Sequence, residues 1–132
     1  MNVFLLTLKA FAPIFIVVGV LHLALGAGAD VLLGANLSEQ ALRDPVLDSQ
    51  NRFYGVSFTL YGVLLFLCSM DLEKYKTVLR CVLWVFFVAG MARVVSIVTH
   101  GVPSSLVLAL LGSELLVPPV LVIWLSRIER ES

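Results

Sequence analysis

Four apolar stretches, each more than 20 residues long, leave few folds open to this chain. They fall at about 3–27, 45–70, 77–99 and 103–126. In a helix, a run of that length crosses the roughly 30 Å hydrocarbon layer of a bilayer at about 1.5 Å per residue. Lipid offers backbone amides no partner, so each run reads as one continuous helix. The expected fold is therefore all-α, an integral membrane four-helix bundle forming a single transmembrane domain over residues 1–132. With 60% hydrophobic and only 14% charged residues, the chain departs from soluble domains in the same direction. Little is left outside the runs, too little for a separate soluble enzyme domain. Nine basic and nine acidic residues cancel, so no global field points to nucleic acid.

The small residues Leu25-Gly26-Ala27-Gly28-Ala29 resemble a signal-peptide cleavage site. No basic side chain precedes the apolar run until Lys9, however, so the segment reads as a retained first helix. Lys9 can snorkel at its edge, and Pro13 is tolerated in a membrane helix. Gly19, His22 and Gly26 share one face, where glycines let a neighbouring backbone approach.

The outer polar loop, 28–44, holds one helix-start signal, Asn36-Leu37-Ser38-Glu39, read as an N-cap with an acid at N3 and a short helix to about Arg43. Asp44-Pro45 reads as N-cap and N1 of the second long helix. Asp48 and Arg52 pair at i, i+4 before the apolar core begins. Arg52, Gly55, Thr59 and Gly62 make a polar or small stripe that predicts Arg52 pointing into the bundle. A turn over 71–76 and another at Gly101-Val102-Pro103 join the remaining helices. Pro118 and Pro119 each remove a helix amide and predict a kink beside Glu114. Cys68 and Cys81 read as free thiols packed as small hydrophobes, and nothing has CxxC-type metal spacing.

Lys74, Lys76, Arg80, Arg127 and Arg130 flank one end of the bundle, against Arg43 alone in the other connections. By the positive-inside rule both termini are expected to be cytoplasmic. His22, Arg52, Arg93 and Glu114 then fall in the outer half of the membrane, where charge is costly and usually functional. Two readings follow. One is an ion-pair network, Arg52–Glu114–Arg93 with His22, that fixes helix packing. The other is a pocket for an anionic lipid or headgroup, since two arginines, one glutamate and a neutral histidine sum to +1. Its candidate binding residues are His22, Asn51, Arg52, Tyr54, Arg93, Ser96 and Glu114. No nucleophile is paired with a base and no nucleotide or haem motif appears, so the expectation is a non-enzymatic protein with no catalytic residue, cofactor or metal. The alternative is a proton-coupled small-molecule transporter or a quinone-linked membrane redox protein using His22 and Glu114. Few helices and no evident repeat give little material for alternating access.

Gly19 with His22, Asp44-Pro45, Asn51-Arg52-Phe53-Tyr54-Gly55, Gly90 with Arg93 and Ser96, and Glu114 together resemble a family of small bacterial four-helix membrane proteins of undefined biochemical role. The likeness covers nearly the whole chain, and within that family it is similar to the AciT-type envelope proteins associated with ciprofloxacin tolerance. That resemblance implies a multi-pass protein of the bacterial inner membrane that supports envelope integrity and has no known enzymatic activity. It also implies a homo-oligomer, with a trimer preferred. The exposed bulk expected of Phe66, Trp84, Phe86 and Phe87 agrees with self-association.

Overall fold

A computed structural model describes residues 1–131 and is entirely helical in its regular structure. The elements are α1 (Asn2–Leu25), α2 (Gly28–Leu32), α3 (Glu39–Leu42), α4 (Pro45–Met70), α5 (Leu72–His100) and α6 (Ser105–Glu131). The long ones, α1, α4, α5 and α6, are apolar and long enough to cross a membrane. They run alternately up and down, making a multi-pass bundle. Both termini lie at one end with the α4–α5 connection, the termini half of the bundle. Segment 26–44 and the α5–α6 connection lie at the other end, the loop half.

Local capping chemistry explains most boundaries. Asp44 Oδ1 accepts hydrogen bonds from the amides of Val46 (2.8 Å) and Leu47 (3.0 Å), and Pro45 follows at N1. Ser38, not Asn36, caps α3, its Oγ accepting from Ala41 N at 3.2 Å. The expected turn at 71–76 shrinks to Asp71 alone. Its Oδ1 caps α5 through Lys74 N (3.1 Å), and Glu73 and Lys76 continue the helix as an i, i+3 pair. Charge there does not end the helix, because Glu and Lys are good helix formers. Gly26 ends α1 with φ +54°, two residues earlier than the apolar run suggests. The expected loop also contains α2, and α6 continues through Pro118 and Pro119.

The packed core sits in the termini half. Phe4, Leu8 and Ala12 from α1 meet Leu65 and Cys68 from α4, Leu79 and Leu83 from α5, and Leu121 and Leu125 from α6. Phe4 packs edge-on against Trp124, with ring centroids 5.3 Å apart. Tyr61 donates to the Val82 carbonyl at 2.7 Å, tying α4 to α5. Phe15 tops this core, with Tyr61 at 4.8 Å and Phe86 at 4.9 Å. Phe86 thus turns inward, against the expectation that grouped it with the outward aromatics. Its ring finds partners there that Trp84, paired with Phe87 on the outer surface, does not use.

The α1–α4 seam is built from glycine. A Cβ on Gly55 would lie 2.7 Å from Gly19 O and from Leu23 N, and one on Gly62 would lie 2.6 Å from Ala12 O. The two backbones are therefore in direct contact, the close approach that small residues permit where lipid removes any hydrophobic drive between helices. Thr59 keeps its hydroxyl occupied by donating to the Gly55 carbonyl at 2.9 Å.

Candidate functional site

Arg93 on α5 and Glu114 on α6 meet across the seam between the two helices. Gly90, three residues before Arg93 on the same helix face, makes this approach possible, since a Cβ there would stand 2.9 Å from Glu114 Cβ. Arg93 Nε donates to both carboxylate oxygens of Glu114, at 2.8 and 3.0 Å. Glu114 is buried, whereas the Arg93 side chain is 36% exposed. The carboxylate grips only Nε. The forked end of the guanidinium, Nη1 and Nη2, donates to no acceptor among the described residues. Arg93 lies seven residues before the helix end at His100, about 10 Å along the axis.

His22 is the second polar centre. Its Nδ1 is 2.8 Å from the Val18 carbonyl, which can only accept, so that nitrogen carries a proton. Its Nε2 lies 3.4 Å from Asp30 Oδ1, delivered by α2 from above. The ring donates on both sides only when doubly protonated. With a single proton it holds Val18 and merely adjoins Asp30. Asn51 is buried beside it on α4 and donates to the Leu47 carbonyl at 3.1 Å.

Between these centres lies a cavity of about 610 Å³. Phe11, Phe15, Phe58 and Phe86 form its apolar wall and floor, while His22, Asp30, Arg93 and Glu114 supply charge or polarity. Phe58 also stacks on the His22 ring, with centroids 6.1 Å apart. The segment after α2 covers the loop side. Gly34 takes φ +95°, and Ser104 donates to the Leu33 carbonyl at 3.1 Å, stitching the cover to the start of α6.

Of the seven residues singled out by sequence, His22, Asn51, Tyr54, Arg93 and Glu114 line this cavity. Ser96 lines a smaller neighbouring cavity of about 80 Å³ together with Arg93. Arg52 lines neither, which corrects the expectation that it points into the bundle and closes an Arg52–Glu114–Arg93 network. Its Nε donates to Asp48 Oδ2 at 2.8 Å and its Nη1 to the Leu23 carbonyl at 2.6 Å. The last carbonyls of α1 have no partner within their own helix, and Arg52 at the rim supplies one. Asp30, Ser104 and Ser113 also line the cavity without having been selected. Asp30 enters through a glycine-ended helix break that composition does not announce, and only its charge was legible. With Arg52 outside and Asp30 inside, the formal charge changes from the expected +1 to −1 with His22 neutral, or zero with it protonated.

No curated protein and no solved structure matches the chain. Residues 3–125 match the profile of a family described as a domain of unknown function, DUF4345. That match spans nearly the whole chain and all four long helices, so the protein belongs to the DUF4345 family.

Proposed function

We propose that this chain is a non-enzymatic membrane protein that holds an amphiphile in the loop half of its bundle, with oxygen atoms of the ligand's polar end on Arg93. The observation that carries this reading is the free guanidinium fork. Arg93 is seated on α5 about 10 Å before the helix end and lines an aromatic cavity, with Glu114 bonded only to Nε. Charged donors at such depth in a membrane persist where something faces them. The fork geometry suits a phosphate or carboxylate, which can accept two parallel bonds. The cavity volume falls within the ordinary range for small-molecule sites, and its aromatic wall suits hydrocarbon.

The basic residues Lys74, Lys76, Arg80, Arg127 and Arg130 gather at the termini half, which supports cytoplasmic termini and an opening toward the outer leaflet. A cysteine at Ser38 should then react with an impermeant thiol reagent on spheroplasts. Labelling of a cysteine at Lys74 instead would reverse the orientation. In a bacterial inner membrane, such a lipid-holding protein would support envelope integrity and, as the AciT-type resemblance implies, ciprofloxacin tolerance. Self-association, with a trimer preferred, belongs to the same proposal, and the Trp84–Phe87 pair offers it an outward face.

The test is lipid carried through purification. Wild-type protein in mild detergent should yield a near-stoichiometric amphiphile on extraction and mass spectrometry. The double variant Arg93→Gln/Glu114→Gln, which removes the pair together and so leaves no uncompensated charge, should fold and lose that molecule. A wild-type extract at detergent background, or a double variant that keeps its lipid, would overturn the reading.

A further inference from the structure

The cavity has a second pole that the Arg93 contact leaves unused. Asp30 projects from α2 with its side chain 36% exposed. Its Oδ1 adjoins His22 Nε2 at 3.4 Å, while Oδ2 accepts from no donor among the described residues. Glu114 is already matched by Arg93 Nε, so Asp30 is the carboxylate with capacity to spare. His22 is its single ion-pair partner among the described residues and serves as a full counter-charge only when doubly protonated.

This arrangement discriminates between classes of polar head. A purely anionic head on the Arg93 fork would share the cavity with two carboxylates and a formal charge no better than zero. A purely cationic head would satisfy Asp30 and leave the fork unfilled. A head bearing both charges satisfies both, with its phosphate or carboxylate oxygens on Nη1 and Nη2 and its ammonium on Asp30. Complementary poles of this kind set specificity more than affinity, because the wrong head meets like charge.

Resting on the amphiphile reading above, we infer that the ligand's head is zwitterionic, an amine-bearing phospholipid-like group read at one end by Arg93 and at the other by Asp30. The two residues arrive on different elements, α5 and the cover helix α2. The ammonium contact therefore also draws the cover against the cavity, where Ser104 already holds Leu33.

The experiment uses the full chain reconstituted in vesicles of equimolar phosphatidylethanolamine and phosphatidylglycerol, re-extracted in mild detergent, with retained lipid quantified. Wild type should retain phosphatidylethanolamine over phosphatidylglycerol by roughly tenfold, the scale of a single charge pair formed or opposed. Asp30→Asn should bring the ratio close to parity, and Asp30→Glu should restore most of it. Glu39→Gln removes a fully solvated acid at the same end of the bundle and should leave the ratio alone. Thermal melts of Asp30→Asn should match wild type, since the side chain is 36% exposed on a five-residue helix. Equal retention of both lipids by wild type, or an unchanged ratio in Asp30→Asn, would overturn the zwitterion assignment while leaving the amphiphile site intact. No retained lipid in any variant would remove both. If aqueous phosphoethanolamine competes as well as the lipid does, the occupant is a soluble zwitterion, which overturns the amphiphile reading and keeps the roles of Arg93 and Asp30.

Discussion

The seam between α1 and α4 and the seam between α5 and α6 join antiparallel helices by opposite means, and the cavity follows from the difference. Along α1–α4 the backbones touch at Gly62 with Ala12 and at Gly55 with Gly19, and Gly26 beside Asp48 extends the contact to the loop end. Along α5–α6 one glycine, Gly90, brings the helices together at the level of Glu114, and the Arg93 ion pair fastens them there. Toward the loop end from that level the second seam opens. The small cavity lined by Ser96, Ile97, Gly101 and Val107 lies between the two helices. Hydrocarbon solvent gives helices no reason to associate beyond packing and polar contacts. A seam made of backbone contact stays closed over its length. The second is closed from the Arg93–Glu114 pair to the termini end, where Leu79 and Leu83 pack with Leu121 and Leu125 and Arg80 bonds Ser126 and Glu129. It opens only beyond the pair.

The largest effects should come from breaking the closed seam. Gly55→Leu would drive a side chain into Gly19 O and Leu23 N, atoms that cannot swing aside. Overpacking commonly costs about 1–3 kcal/mol, and more where rigid atoms are struck. The expected outcome is loss of monodisperse folded protein by size-exclusion in detergent. Gly90→Leu is the matched insertion in the other seam, where a new Cβ would lie 2.9 Å from Glu114 Cβ, which the backbone fixes, and 3.0 Å from Leu115 Cδ2, which can rotate away, with no backbone atom nearer than 3.4 Å. It should fold with a lowered melting temperature. If Gly90→Leu proves the more damaging, backbone contact is not what distinguishes the seams.

Next in size comes the latch. Glu114→Gln leaves the Arg93 guanidinium at depth with no counter-charge, and removing one member of a buried pair costs about 3–5 kcal/mol. The low end applies, about 3 kcal/mol, because the Arg93 side chain is 36% exposed. The Arg93→Gln/Glu114→Gln double variant should melt above Glu114→Gln. Additive losses in the double-mutant cycle, read from thermal unfolding, would mean the two residues do not hold the seam as a pair.

What the sequence made legible was mostly local. The Asp44-Pro45 start of α4 and the Asp48–Arg52 pair depend on residues within one turn, so their spacing is enough to place them. Gly55 and Gly62 on one stripe announce a close approach, because nothing but backbone can fill the space a glycine leaves. Arg93 and Glu114 could be matched by depth, since unpaired charge there is costly. Distant relations escaped. Arg52 can reach either the bundle interior or the rim, and what decides is the Leu23 carbonyl, 29 residues away, at the end of a helix that stops at Gly26. Asp30 joins the cavity because α2 folds back over it, and a five-residue helix leaves almost no periodic signal. Phe86 turns inward to meet Phe15 and Tyr61, a choice that hydrophobicity cannot make, since lipid and core are equally apolar.

The smallest effect should be at Arg52, and it tests how far the closed seam extends. Its side chain is nearly half exposed, bonded to Asp48 and to the Leu23 carbonyl, and it lines neither cavity. Exposed i, i+4 pairs contribute little, because water already screens them. Read from spacing alone, Arg52 would capture an anionic head, and Arg52→Gln would strip the lipid. Placed as a clamp across the ends of α1 and α4, the same variant should keep its co-purified lipid and melt within a few degrees of wild type. Its one visible consequence should be faster amide exchange around Leu23 to Gly26, where a carbonyl loses its partner. Arg52→Lys, able to reach Asp48 but without the fork that also holds Leu23, should fall between the two. If Arg52→Gln loses the lipid while its melt and exchange stay unchanged, the guanidinium turns into the cavity when ligand is bound. The α1–α4 seam would then end at Gly19 and Gly55 rather than at the rim.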